Sequence, residues 1–153
     1  MKKAIVIVAL MLGIAVAASA QPRAIGFRGG LASELSYQHS LGENFLEFDL
    51  GWDGYYHGAN LAVAYDFSVA PVGPFNLYVG PVADVYSWPY HDVDRDYLRL
   101  GLGVGAQVGL EYFFDQIPLQ ISVDWRPMFN IVYDGVHSRF GYHGVALGLR
   151  YAF

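Results

Sequence analysis

Residues 98–112 run Leu-Arg-Leu-Gly-Leu-Gly-Val-Gly-Ala-Gln-Val-Gly-Leu-Glu-Tyr, an unbroken alternation of two side-chain classes. Leu98, Leu100, Leu102, Val104, Ala106, Val108, Leu110 and Tyr112 fall on one face of a strand. Arg99, Gly101, Gly103, Gly105, Gln107, Gly109 and Glu111 fall on the other, because successive strand side chains point to opposite sides. Strands of soluble proteins average about 5–6 residues. A run this long, greasy on one side and glycine-rich or charged on the other, fits a strand between lipid and a narrow polar interior.

The same period recurs along the chain. Leu46, Phe48, Leu50 and Trp52 oppose Glu47, Asp49 and Gly51. Leu119, Ile121, Val123 and Trp125 oppose Gln120, Ser122, Asp124 and Arg126, and Val145 to Phe153 alternates in the same way. Strands are predicted at 24–29, 33–39, 44–52, 58–68, 75–87, 97–113, 118–127 and 142–153. Gly29-Gly30 divides the first two through a turn tolerant of positive φ, which gives the even strand count of bacterial single-chain barrels. Pro81 interrupts the fifth strand, since proline cannot donate to the ladder. The predicted fold is all-β: an eight-stranded antiparallel up-and-down transmembrane β-barrel. Short turns near 40–43, 69–74 and 114–117 lie at the end that carries the termini, and longer outer loops at 53–57, 88–96 and 128–141.

Ahead of the barrel, Lys2 and Lys3 precede an apolar run and Ala18-Ser19-Ala20, the pattern of a cleavable signal peptide. Residues 1–20 are therefore read as the signal peptide and 21–153 as one barrel domain. There is no cysteine, hence no disulfide framework. The only lysines leave with the signal, so seven arginines face 14 acidic residues. That balance disfavours nucleic acid as a partner. Aromatics form two predicted girdles: Tyr37, Tyr65, Phe67, Tyr112, Tyr151 and Phe153 near the termini, and Phe27, Trp52 and Trp125 at the outer edge.

These segments resemble small eight-stranded outer-membrane barrels of the outer-membrane protein A and X class, and more closely the small barrel proteins of Bacteroidetes-type bacteria. The resemblance rests on Ala24-Ile25-Gly26-Phe27-Arg28, Glu34 to His39, Leu77 to Gly80, Gly109 to Phe113, Ile117 to Pro127 and Leu149 to Phe153. It spans nearly all of the barrel domain. It implies location in the cell outer membrane, with the lipid bilayer as surroundings. It also implies that Tyr151 and Phe153 are the C-terminal signal read by the barrel-assembly machinery. The motifs specify architecture rather than an activity.

The inward face collects Arg28, Glu34, Glu47, Asp49, Asp66, Asp84, Arg99, Glu111, Asp124, Arg126 and Arg150. An eight-stranded interior is just wide enough for side chains to fill it, and unpaired charge there is costly. A lumen plugged by ion pairs is expected. Seven acids against four arginines in that set leave a surplus attractive to cations, so a narrow channel for small cations or solutes is the alternative. Tyr55, Tyr56, Trp88, Tyr90 and Tyr133 are the outer-loop contact candidates, for an extracellular protein or glycan, because tyrosine and tryptophan offer flat apolar area with a polar edge. Asp92, Asp94 and Asp96 lack the glycine and distal glutamate of a calcium loop, so no metal is expected. His39-Ser40 and His137-Ser138 place adjacent residues on opposite strand faces, which does not align a base with a nucleophile. No catalytic residue, enzymatic activity or cofactor is expected.

Overall fold

A computed structural model describes residues 21–30, 32–53, 58–91, 96–132, 138–141 and 144–153. Its strands are β1 (Pro22–Gly29), β2 (Ala32–Leu41), β3 (Asn44–Asp53), β4 (Gly58–Val72), β5 (Phe75–His91), β6 (Asp96–Phe113), β7 (Leu119–Trp125), β8 (Met128–Val132), β9 (Ser138–Gly141) and β10 (Val145–Ala152). Each pairs antiparallel with its neighbour, and β1 pairs with β10 to close the sheet. β7 and β8 both lie against β6 as the two halves of a seventh strand. β9 and β10 form the eighth in the same way, against β8 and β7. The result is a closed eight-stranded up-and-down barrel.

The turns explain the register. Gly42 and Gly73 have φ of 69° and 63°, each as the first residue of a two-residue hairpin turn, the type II′ arrangement that matches strand twist. The division after Gly29 holds as predicted, but for a different reason. A Cβ on Gly30 would meet the Val145 carbonyl and Ala146, so close approach to the eighth strand, and not positive φ, requires glycine there.

The connections at the far end are shorter than the sequence suggests. β5 runs to His91 and β6 begins at Asp96. The predicted loop 128–141 is mostly ladder, with Met128 opposite Gly141 and Ile131 opposite Ser138. Pro127 obscures this continuity. It has no N–H to send toward β6, yet its carbonyl still accepts from the Ala106 N–H at 3.2 Å, and Arg126 N–H donates to Gly144 at 3.0 Å. The seventh strand therefore passes through the proline. Trp125 sits mid-strand rather than at the outer edge, with Phe129 and Ile131 beyond it.

The barrel is inside-out. Among the described residues sixteen polar or charged side chains are buried against eight apolar ones, the reverse of a soluble core. The outward face carries exposed Phe27, Leu50, Trp52, Leu100, Val104, Leu147, Leu149 and Phe153. At the end carrying the termini, rings pair outside the barrel: Tyr65 with Phe67, Phe75 with Tyr112, Tyr112 with Phe114 and Tyr151 with Phe153.

The glycines of β6 have a definite purpose. Gly109 lies directly opposite Tyr78 and Gly101 opposite Tyr86. A Cβ at either position would collide with the facing tyrosine ring. Each ring lies across the glycine, an aromatic–glycine cross-strand pair, and fills interior volume that the polar side chains leave.

Candidate functional site in the barrel interior

Strand alternation aims one residue in two at the barrel axis, and the eleven charged residues expected inside all lie on inward positions. Nine of them are buried, while Asp84 and Arg99 are half-buried.

The centre of the interior is built around Glu47, which is fully buried. Its Oε1 accepts from Arg126 Nη2 at 2.6 Å and from Arg150 Nη2 at 3.0 Å. Its Oε2 accepts from Gln38 Nε2 at 2.6 Å. Arg126 also pairs with Asp49 and donates to Gln107. Arg150 is anchored by Ser36 Oγ at 2.9 Å and Ser122 Oγ at 2.7 Å. These bonds join β2, β3, β6, β7 and β10. Cations shared between carboxylates are the arrangement that lets buried charge persist.

A second group lies beside it. Arg28 Nε donates to Asp124 Oδ1 at 3.0 Å, and Arg28 also pairs with Glu34. Glu34 in turn accepts from Asn60. Arg126 stands 4.0 Å from both Glu34 and Asp124, so the two groups form one electrostatic unit. Asp66 is the exception: it is fully buried, and among the described residues its carboxylate accepts only from Gln107 Nε2, at 3.4 Å.

The third group closes the end that carries the termini. Glu111 accepts from Gln120 Nε2 at 2.6 Å and Asn76 Nδ2 at 2.9 Å, and it pairs with Arg23. Gln38 accepts from Gln120 at 3.0 Å, which links this group to Glu47. Phe45 and Tyr78 pack edge-to-face at 5.3 Å between ring centres.

The polar partners Gln38, Gln107, Gln120, Ser36 and Ser122 occupy the same inward register as the charged residues, so alternation marks them too. Arg23 does not follow that rule. The register slips between Pro22 and Ala24, and this irregularity breaks the alternation at Arg23, the second residue of β1. Among the described residues no group of three or more His, Cys, Asp or Glu is placed to hold a metal ion.

Of the outer-loop candidates, Trp88 lies within β5 on its inward face and stacks on Tyr86 at 5.6 Å. It is part of the barrel wall rather than of a connection. The Tyr90 backbone is also in β5. Its side chain, with Tyr55, Tyr56 and Tyr133, lies outside the described residues, as do residues 1–20, expected to be a signal peptide, and most of the 92–96 acidic run. Tyr151 and Phe153 are exposed on the outward face at the C-terminal end. Comparison with protein-family models, curated proteins and solved structures gives no match.

Proposed function

We propose that this chain is an outer-membrane barrel, of the outer-membrane protein A and X kind, whose lumen is sealed by its own ion pairs. It serves as a structural element of the envelope and meets extracellular protein or glycan through its outer connections. It is not an enzyme and takes no cofactor. Tyr151 and Phe153 act as the signal for the barrel-assembly machinery. The observation that carries this reading is the pairing of an apolar outside with a charged, hydrogen-bonded inside. A tilted membrane-crossing strand needs about 9–11 residues, and β2, β3, β4, β5 and β6 have 10, 10, 15, 17 and 18. In lipid a closed sheet also satisfies every backbone group internally.

The acid excess of the interior favours the second reading, a narrow cation channel. Planar-bilayer recording of the refolded protein separates the two. The sealed-lumen reading predicts verified insertion without current at moderate salt. Reproducible cation-selective steps would overturn it and make the surplus carboxylates the functional site.

A further inference from the structure

We infer that Arg23 is the stopper of the barrel, closing the interior at the end that carries the termini. The side chains at that mouth are unusually dry for their position. Phe45 is the second residue of β3, Gln120 the second of β7 and Glu111 the third from the end of β6. Their exposures are nevertheless 0%, 0% and 1%. Something must cover them, and Arg23 is placed to do so. Its guanidinium lies 3.9 Å from the centre of the Phe45 ring and 5.1 Å from that of Phe113. It also pairs with Glu111 and donates to Gln38 Oε1 at 3.4 Å.

Arginine suits this position. A planar cation can lie against aromatic faces while its N–H groups reach carboxylate and amide oxygens in the same plane. The backbone holds the residue in place, because Phe153 N–H donates to the Arg23 carbonyl at 3.0 Å and Ser40 N–H to the Gln21 carbonyl at 3.1 Å. The first strand is thereby tied to both of its neighbours at the rim. Through Gln38 the stopper connects to Glu47, so the seal and the central ion pairs form one chain of bonds.

The inference rests on the sealed-lumen reading. Conductance tests that reading for the whole barrel, whereas thiol labelling reports on this mouth alone, so either can fail without the other. The chain has no cysteine, and Ala24, the next residue in the chain after Arg23, is fully buried, so Ala24→Cys provides a single probe. The reagent is a small water-soluble methanethiosulfonate, applied to the detergent-folded barrel, with resistance to unheated SDS as the check on folding. With Arg23 present, labelling is slow. Arg23→Ala accelerates it roughly tenfold or more, the factor that about 1.4 kcal/mol of lost closure represents. Arg23→Lys, which keeps charge but not the planar contact, gives an intermediate rate and decides the question if the alanine variant does not fold. Equal rates with Arg23 and its replacements, or rapid labelling with Arg23 in place, would overturn the inference.

Discussion

Arg126→Ala destabilises the folded barrel by about 3–5 kcal/mol, the range for stranding a buried ion-pair partner. Arg126 is 6% exposed and holds both Glu47 and Asp49. Among the described residues, its loss removes the ion-pair partner of Asp49 and leaves Glu47 with Arg150 and Gln38. The cost arises from uncompensated charge rather than from the missing attraction. Arg126→Met combined with Asp49→Asn, which keeps Glu47 to balance Arg150, should therefore recover much of the loss, a non-additivity expected for residues in direct contact. Urea unfolding followed by the shift between folded and unfolded bands on unheated gels measures both variants. A double variant as unstable as the single one would show that the arginine matters through packing instead.

Val104→Arg tests the opposite face and has the second-largest expected effect. Val104 is 51% exposed in the middle of the outward row of β6. On a soluble barrel such a change falls within about 0.5 kcal/mol. Against lipid, arginine near the midplane costs about 2–4 kcal/mol, and less toward either interface. Unfolding from bilayers should show that loss for Val104→Arg and a smaller one for Leu98→Arg, six residues nearer the strand end. Equal, negligible effects at both positions would mean that the face meets water.

Most of the architecture is legible in the sequence because a barrel with an apolar outside and a charged inside writes its period-two pattern into every strand. Leu119 to Arg126 and Leu98 to Tyr112 show it without interruption. Reading fails where local geometry departs from that period. Arg23 is hidden because a slip in register beside Pro22 breaks the alternation. Met128 to Val132 look like a loop because Pro127 precedes them, although the proline loses only a donor and keeps its acceptor. Trp88 resembles a loop aromatic by composition, yet β5 extends past it and turns it inward. The glycine face of β6 does not say which side chains fill the space beside it, and Tyr78 and Tyr86 on the facing strand do so. That fact belongs to the pairing of two strands and not to either alone. The choice of partners inside, such as Glu47 between Arg126 and Arg150, depends on distances across the axis that no single strand encodes.

The central claim is that the outward face of this barrel lies in lipid. A nitroxide scan of residues 100–110, one cysteine at a time in the reconstituted protein, tests it most directly. The account predicts high oxygen and low nickel-chelate accessibility at Leu100, Leu102, Val104, Ala106, Val108 and Leu110, with both quenchers excluded at the intervening inward positions. High nickel-chelate accessibility along the outward row would place that face in water and contradict the account.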